Sequence, residues 1–434
     1  MPKGKKKGKY EHRRTELPYS SDEDAGIDMT IDNCSETSGQ SDLKSNHDDA
    51  ENEAQEKQEE KVLEIMEALS ARSNAARAGA FVALRAALQR RAFDTLLCSH
   101  RATLADHISR ALRRGKDGER KAAAAVAPLV ALQIGEEGTE EFVAEVRPAL
   151  TATAADKTAS LETRTECCSS LAVLCYLMED DVTEILEVMR VYETIFSGSY
   201  LKGDGSVKTS GSAVEEGAWH AAALEAWALL LSLLAPEHAR QLLRSTPPGV
   251  ARLAHLLEAP ALDVRVAAGP ALALAHECAT ADDADAAPDL APHIDALLPL
   301  LAELARDSHK YRAKRDRKLQ RATFRDVLKY FEEGTVPAAS VRVGSETAAW
   351  ESWCGAAAYG ALAAALGGAL QPLALRSARL RAALALADAP PADLLQRTHK
   401  LNKLQRHLQN NAACKARTLA RNKNRDKRSA ALAM

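Results

Sequence analysis

The chain of 434 residues has few aromatic side chains, and this limits the kinds of core that it can build. Phe, Trp and Tyr make up 4 % of the residues, while hydrophobic residues together make up 46 %, with 22 glycines and 16 prolines. The apolar content is therefore mainly alanine and leucine. Such a composition favours helices packed on helices and offers little to a β-sheet.

Sequence signatures of common catalytic sites are also missing. There is no Walker sequence and no Gly-x-Ser-x-Gly elbow, and His276-Glu277-Cys278 is not followed by the second histidine of a zinc-protease helix. Gly203-Asp204-Gly205 lacks the preceding strand and the full glycine set of a phosphate loop. We therefore predict a protein that is not an enzyme and that needs no metal, cofactor or small-molecule substrate.

Neither a disulfide framework nor a membrane segment is expected. The eight cysteines form no Cys-x-x-Cys pair and sit mostly in alanine-rich runs, which is typical of small buried residues in a reducing compartment. No apolar stretch follows the lysine-rich start, so a secretory signal is excluded. The apolar run 218–235 contains His220 and Glu225, which favours a buried helix over a membrane span. We expect a soluble, intracellular protein.

The formal net charge is only -3, but the charges are segregated along the chain. Residues 1–57 carry a lysine cluster and then an acidic, serine-rich tract, and they have too little apolar content to offset the entropy of ordering. We predict a disordered tail, whose lysine cluster is a nuclear-import patch, a nucleic-acid-binding arm or a solvated tail. Ser20 and Ser21 precede three acidic residues and are candidate phosphorylation sites.

A repeated frame organises the chain from residue 58 onwards. An arginine is followed by a small residue at i+3 and by leucine at i+7, which places all three on one face of a helix. The copies begin at Arg77, Arg164 and Arg265, and a partial copy begins at Arg120. The first two intervals, of 43 and 44 residues, are typical of armadillo and HEAT arrays. A degenerate unit at 219–234 and a Gly/Ser-rich insertion at 197–217 fill the longer gap before Arg265.

We therefore predict an all-α, armadillo/HEAT-like helical solenoid with a projecting basic C-terminal helix. The predicted domains are a basic and then acidic disordered tail (1–57), the helical repeat domain (58–308), a basic helix followed by further helices (309–390) and a basic C-terminal helical segment (391–434). A leucine-rich helix at 294–304 is expected to close the array. Another alanine-rich helix is expected to begin with Trp350 and Trp353, and one more is expected to cover 373–386.

Two late segments are strongly cationic. In the first, basic residues at i, i+4, i+7, i+11 and i+15 predict a continuous stripe on one helix, too sparsely offset by Asp316 and Asp326 to be explained by salt bridges. In the second, apolar residues thin out after Asn411 while arginines continue along one face. These patterns favour contact with a polyanion. His399 and His407 are too scattered to predict a metal site.

Three segments of the chain resemble the interferon-related developmental regulator family. They are SDEDA at 21–25, RAKRDRKLQRATFRDVL at 312–328 and KLQRHLQNNAACKARTLARNKNRDKR at 403–428, and the helical middle from 62 to 304 is similar more loosely. The resemblance implies an armadillo-like fold. It also implies one of two functions.

In the first version, family members bind ribosomes that are not translating and send a C-terminal helix, here 411–428, into the mRNA channel. In the second, they act in the nucleus as transcriptional co-regulators with histone deacetylase complexes during differentiation. The residues themselves favour the first version, because a thin cationic helix with small side chains suits an RNA-lined tunnel and arginine pairs with phosphates. A co-regulator would instead need a peptide groove, which the sequence does not single out.

We therefore predict a ribosome-binding repressor of translation that contacts ribosomal RNA in the cytoplasm, with nuclear co-repressor partners as the alternative. No membrane partner is expected. The predicted RNA-contacting residues are Lys310, Lys314, Arg317, Arg321, Arg325, Lys403, Arg406, Lys415, Arg417, Arg421, Lys423, Arg425, Lys427 and Arg428.

Overall fold

A computed structural model describes residues 55–135, 138–207, 211–244, 249–283, 287–288, 290–306 and 313–387 of the chain. All of them belong to one of the two units into which the chain divides, Ala54–Met434. Helices dominate these residues, which confirms the predicted all-α class. The predicted tail before residue 55 and the basic segment from 391 lie outside the described residues.

The helices follow one another through short turns. In chain order they are α1 (55–68), α2 (Asn74–Arg90), α3 (Asp94–Ser99), α4 (Arg101–Arg114), α5 (Asp117–Ile134), α6 (Thr139–Ala155), α7 (Leu161–Met178), α8 (Val182–Phe196), α9 (Ser212–Glu215), α10 (Gly217–Leu231), α11 (Pro236–Arg244), α12 (Val250–His255), α13 (Leu262–Ala279), α14 (Ala291–Arg306), α15 (Lys314–Glu333), α16 (Trp353–Leu366), α17 (Leu370–Ala374) and α18 (Ala378–Ala383).

Six of these helices stack in sequence order and form what we call the inner layer: α2, α5, α7, α10, α13 and α15. A second set covers them from one side: α4 packs on α5 and α6, α6 on α7, α8 on α10, α11 on α13 and α14 on α15. Each inner helix therefore contacts its neighbours in the series, and the five from α5 to α15 also contact an outer helix. This arrangement is the predicted solenoid, in which each unit buries its apolar surface against the next.

The repeated arginine occupies the same place in every copy, the fourth residue of an inner helix. Arg77, Arg120, Arg164 and Arg265 are the fourth residues of α2, α5, α7 and α13. The residues three and seven positions later are all buried, because they lie between adjacent inner helices. They are Ala80 and Leu84, Ala123 and Ala127, Cys167 and Leu171, and Ala268 and Leu272.

These arginines connect each inner helix to the next. Arg77 donates to Glu119 of α5 at 2.6 Å, and Arg120 donates to Asp156, just before α7, at 2.9 Å. Arg164 and Arg265 continue the series with longer contacts of 3.4 Å to Glu216 and Gln320, respectively. Three of the four also donate to backbone carbonyls of the turn before their own helix. The frame seen in the sequence is thus a series of polar links between repeats.

Two further inner helices carry the same frame in a form that the arginine pattern did not identify. The fourth residue of α10 is His220, followed by buried Ala223 and Trp227, and the predicted degenerate unit is thereby confirmed as a full member of the inner layer. The fourth residue of α15 is Arg317, followed by Gln320 and Phe324, both buried.

The array was expected to end at the leucine-rich helix 294–304, which is α14. It continues to α15, because α15 packs on both α13 and α14. A glycine allows this contact. A Cβ at Gly269 of α13 would lie 3.0 Å from the Phe324 ring and 3.3 Å from Val327 of α15. Since such distances are tighter than ordinary side-chain contacts, a larger residue at 269 would push the last inner helix outward.

After α15 the chain forms an antiparallel hairpin of β1 (Ala339–Val343) and β2 (Glu346–Trp350). No strand was predicted, and Trp350, expected at the start of a helix, lies in β2. Alternating exposed and buried residues in β2 are consistent with one covered face. The hairpin is tied to α18 by Arg381, which is 1 % exposed and donates two hydrogen bonds to Glu346 at 3.0 and 2.8 Å.

Residues 353–387, which we call the return segment, run back across the inner layer. Helix α16 contacts α13, α10, α7 and α5, and the short 3₁₀ turn after it (Gly367–Ala369) contacts α2. Glycine is needed there, because Gly367 has φ +53° and a Cβ would lie 2.8 Å from Gln89 of α2. The helix expected over 373–386 is instead two short helices, since Ser377 caps α18 by accepting from the Leu380 N–H.

The run Trp353–Ala374 within this segment is long and apolar enough, by length and composition, to cross a membrane. A core helix of a soluble protein passes the same test. Here α16, which begins this run, packs on four inner helices. Its many alanines explain the apolar composition, because small side chains let α16 approach the inner layer closely.

Candidate nucleic-acid interface

The basic helix α15 has one face against the array and one face in solvent. Gln320, Phe324 and Val327 are buried against α13 and α14. Arg317 lies near the edge of this face: it is half-buried, and its Nε is enclosed without a hydrogen-bond partner. Because Arg317 also holds the fourth position of an inner helix, we assign it to the contact between α15 and the array rather than to the solvent face.

The solvent face carries a continuous row of positive charge that we call the basic ridge. It consists of Lys314, Lys318, Arg321, Arg325 and Lys329, of which Arg321 is half-buried and the others exposed. Successive members lie three or four residues apart and therefore on one side of the helix. With a rise of 1.5 Å per residue, the ridge is about 22 Å long.

None of the ridge residues forms an ion pair with another residue in the part of the chain that the structure describes. The Nε of Arg321 donates to the Arg317 carbonyl at 3.2 Å, which fixes the start of that side chain. Elsewhere, exposed arginines such as Arg101 and Arg113 do have acidic partners. The ridge is therefore a site where unneutralised positive charge accumulates on a rigid helix.

The structure brings together three of the predicted stripe residues, Lys314, Arg321 and Arg325, and separates Arg317 from them. Lys310 lies outside the described residues. The row also contains Lys318 and Lys329, which the sequence pattern did not single out. From Lys314 onwards, its five residues have the same i, i+4, i+7, i+11 and i+15 spacing that was predicted from Lys310. The signal that could have fixed this register was the repeat frame, since Arg317 is followed by Phe324 at i+7.

The remaining predicted residues cannot be placed. Ser20 and Ser21 lie outside the described residues, as do nine of the predicted RNA contacts. Those nine are Lys403, Arg406, Lys415, Arg417, Arg421, Lys423, Arg425, Lys427 and Arg428.

A second surface feature is the space between the return segment and the inner layer, which we call the inner groove. Its volume is about 550 Å³, and it is walled by α7, α10 and α13 on one side and by α16 on the other. Most lining residues are apolar, and many are alanine. Glu166 and Glu225 are the acidic members, and burial raises the pKa of both, with the nearby Asp263 carboxylate raising that of Glu225 further.

A buried serine and histidine give α10 a superficial likeness to a hydrolase site. The Ser199 hydroxyl lies 2.7 Å from His220 Nδ1, and His220 Nε2 lies 3.8 Å from Glu216. Ser199 and His220 are each 1 % exposed, so a substrate cannot reach the serine oxygen. The arrangement supports packing, because the polar groups satisfy one another inside the array.

Metal binding receives no support from the side chains that the structure describes, where no group of three or more His, Cys, Asp or Glu residues is arranged to hold an ion. The fragment His276-Glu277-Cys278 has other partners. His276 Nδ1 lies 3.0 Å from the Tyr330 hydroxyl, and Glu277 accepts from the Cys354 backbone N–H at 2.9 Å.

The sequence matches known proteins over almost its whole length, including both basic segments. Residues 32–332 match the sequence model described as Interferon-related developmental regulator, and residues 380–429 match the one described as Interferon-related protein conserved region. The chain is 34 % identical over 424 residues to Interferon-related developmental regulator 1 of Mus musculus, covering 96 % of this chain and 91 % of that protein.

Similar values hold for two other proteins. Interferon-related developmental regulator 1 of Homo sapiens is 33 % identical over 428 residues, with 96 % of this chain and 91 % of that protein covered. Interferon-related developmental regulator 2 of Mus musculus is 35 % identical over 370 residues, covering 84 % and 81 %. The matched regions include both α15 and the C-terminal basic segment.

Proposed function

Because the chain belongs to the interferon-related developmental regulator family, we propose that it binds ribosomal RNA and represses translation by occupying inactive ribosomes. In this proposal the basic ridge of α15 contacts phosphates on the particle surface. The C-terminal segment 411–428 enters the mRNA channel. Both contacts occur in the cytoplasm.

The observation that carries the proposal is the basic ridge. Five cationic side chains lie along about 22 Å of one helix, and none has an acidic partner in the described part of the chain. Exposed cations that are not neutralised by their own protein create a positive potential that attracts a polyanion. Arginine in particular can pair bidentately with phosphate and stack on unpaired bases, which suits looped ribosomal RNA.

Rigidity adds to this support. Helix α15 is the last member of the inner layer and is fixed by α13 and α14. A ridge on a packed helix keeps its charges in place before binding, so little side-chain and backbone entropy remains to be lost. A flexible basic tail would bind polyanions with less geometric selectivity.

The alternative, a nuclear co-regulator that gathers deacetylase complexes, draws less support from the same surfaces. The concave side of a solenoid is the surface on which extended peptides generally bind. Here α16 covers the face formed by α5, α7, α10 and α13, which a peptide bound along the inner layer would need. A peptide could bind along it only after the return segment had been displaced.

The decisive experiment is co-sedimentation of the full chain with ribosomes. In the test variant, Lys318→Glu, Arg325→Glu and Lys329→Glu reverse the exposed ridge while leaving Arg317 in place. Its matched control is Arg90→Glu, Arg114→Glu and Arg190→Glu, three exposed arginines on other helices. Both variants change the net charge by the same amount.

We expect the ridge variant to lose at least about tenfold in affinity, because three phosphate contacts become repulsive, and the control to lose much less. Circular dichroism checks that both keep their helical content. Equal losses of ribosome affinity in the two variants would show that only the net charge of the protein matters, and this would contradict the proposal. Deacetylase pull-down that is unaffected by the ridge variant, together with absent co-sedimentation of the parent chain, would favour the alternative.

A further inference from the structure

Two cysteines from distant parts of the chain meet where the return segment begins. Cys278 lies one residue before the end of α13, and Cys354 is the second residue of α16. Their Sγ atoms are 3.4 Å apart, although 76 positions separate the residues in sequence. Both are free thiols in the structure.

The surrounding contacts hold both thiols in position. The Cys354 backbone N–H donates to Glu277 Oε2 at 2.9 Å, so the first turn of α16 is fastened to the residue next to Cys278. Ser352 caps the same turn by accepting from the Gly355 N–H at 3.0 Å. The Trp353 ring packs edge-on against Tyr330 of α15, with ring centroids 5.9 Å apart.

We propose that Cys278 and Cys354 form a reversible disulfide that fastens the return segment to the array under oxidising conditions. A disulfide requires the sulfurs to approach to about 2 Å. The remaining distance is small enough for side-chain rotation to supply. Because the folded chain already holds the thiols together, the second step of bond formation occurs at high effective concentration.

The reaction is a thiol–disulfide exchange with a small-molecule disulfide such as oxidised glutathione. The Cys354 thiolate attacks one glutathione sulfur, a mixed disulfide forms and the first glutathione leaves as a thiolate. The Cys278 thiolate then attacks the Cys354 sulfur and releases the second glutathione. The two thiol protons end on the two glutathione molecules, and two electrons pass from the protein to the oxidant.

Cys354 is the entry point, because it is half-buried while Cys278 is 7 % exposed. The neighbouring Cys278 thiol, burial and the Glu277 carboxylate raise the pKa of Cys354, which keeps it mostly a thiol at neutral pH. Exchange through Cys354 is therefore slow, because only its small thiolate fraction reacts, and the site responds to a sustained rather than a brief rise in oxidant. This suits a site that changes state only under oxidative stress.

The other described cysteines provide internal comparisons. Cys168 and Cys175 are fully buried in α7, and burial raises the pKa of each to about 12. Cys98 is half-buried like Cys354, but it contacts no other cysteine of the described ranges. Cys98 can accept a glutathione but has no resolving partner there.

The bond would change the mobility of the return segment. Apart from apolar packing on the inner layer, its start is held by one hydrogen bond, aromatic packing and the thiol contact. Its far end is held by exposed ion pairs of Arg376 with Asp94 and of Arg379 with Asp180, and by a hydrogen bond from Arg379 to the Leu177 carbonyl. Exposed ion pairs contribute little to stability. A covalent link at α13 would prevent the start of α16 from leaving the inner layer even when the far end opens.

The test uses the full reduced chain incubated natively with glutathione at graded ratios of oxidised to reduced form. Samples are quenched with acid, alkylated and digested, and the peptides are identified by mass spectrometry. We expect a peptide that links Cys278 to Cys354, formed at an oxidised-to-reduced ratio about tenfold below the one that glutathionylates Cys98. In hydrogen exchange, α16 amides of the oxidised chain should exchange more slowly.

Two variants make the result specific. Cys354→Ala should abolish both the linked peptide and the oxidant-dependent protection of α16, whereas Cys98→Ala should leave both unchanged. If Cys354→Ala disturbs the fold, Cys278→Ser provides a second test, with Cys354 then expected to stop at the mixed disulfide. Glutathionylation of Cys98 without any link between Cys278 and Cys354 would overturn the proposal, as would a link that forms only in urea.

Discussion

Arg77 and Glu119 form a two-point ion pair across the first junction of the inner layer. The Nε and Nη2 atoms of Arg77 lie 2.6 and 2.9 Å from the two carboxylate oxygens of Glu119, which is 3 % exposed. Arg77 also donates to the Ala71 carbonyl and to Asn74. One side chain thereby fixes the turn before α2 and the start of α5.

Replacing Arg77 with methionine should lower the free energy of unfolding by about 2–3 kcal/mol, because Glu119 would keep a buried carboxylate without a partner. Urea denaturation followed by circular dichroism measures the change. The matched control is Arg101→Met, whose pair with Glu141 is exposed on both sides, and its cost should be below about 1 kcal/mol. Similar losses of unfolding free energy in the two variants would show that the Arg77–Glu119 pair stabilises the array no more than an exposed ion pair does.

The inner groove makes a prediction about pH. Glu225 is surrounded by protein while remaining reachable by solvent, and burial followed by the Asp263 carboxylate raises its pKa. The folded state therefore holds the Glu225 proton more tightly than the unfolded state, whose glutamate pKa is about 4.3. As pH rises through the pKa of Glu225 in the folded state, the protein loses the stability that the protonated carboxyl group contributed.

Glu225→Gln should accordingly raise the melting temperature at pH 8. The gain should shrink as pH falls towards 5 and vanish once the carboxyl is protonated in both states. Differential scanning fluorimetry across this range is sufficient. Glu187→Gln on the exposed face of α8 is the control and should show no such trend. A gain for Glu225→Gln that is constant with pH would mean that the amide packs better for reasons unrelated to charge.

The predicted role of the C-terminal segment can be tested by truncation. A chain ending at Gln409 loses seven basic residues between 410 and 428 but keeps every described residue. It should fold as the parent does and lose most of its co-sedimentation with ribosomes. Binding of the parent should weaken with salt at a log–log slope of about 0.7 per phosphate contact, so truncation should flatten the slope by at most about 5. Sedimentation unchanged by truncation would refute the role of the segment.

Much of the array could be read from the sequence because its repeats are periodic. The degenerate unit expected at 219–234 is found as α10, and the leucine-rich helix expected at 294–304 lies within α14. The arginine frame worked because each copy makes the same polar link to its neighbour. It missed the α10 copy because histidine replaces the arginine at 220, and it missed the α15 copy because Gln320 and Phe324 replace the small residue and the leucine after Arg317. The residues at i+3 and i+7 are nevertheless buried in both helices.

The return segment and the hairpin could not be predicted in the same way. Their positions depend on contacts between residues more than two hundred positions apart, such as Arg376 with Asp94 and Arg85 with the Ala365 carbonyl. Alanine-rich helices have no strong apolar face, so the sequence of α16 does not indicate which surface it covers. Which basic residues of α15 face the array could not be read from the sequence for a related reason, since this depends on Phe324 and Val327 fitting over Gly269.

The path of the return segment also has a mechanical consequence. Open solenoids extend and recoil like springs, because each repeat can rotate slightly against the next. Here one segment contacts α13 at its start, then α10, α7 and α5, and finally α2 near its end. Any rotation of one repeat against the next must shear or detach these contacts, so the return segment should make the array stiffer than its repeats alone.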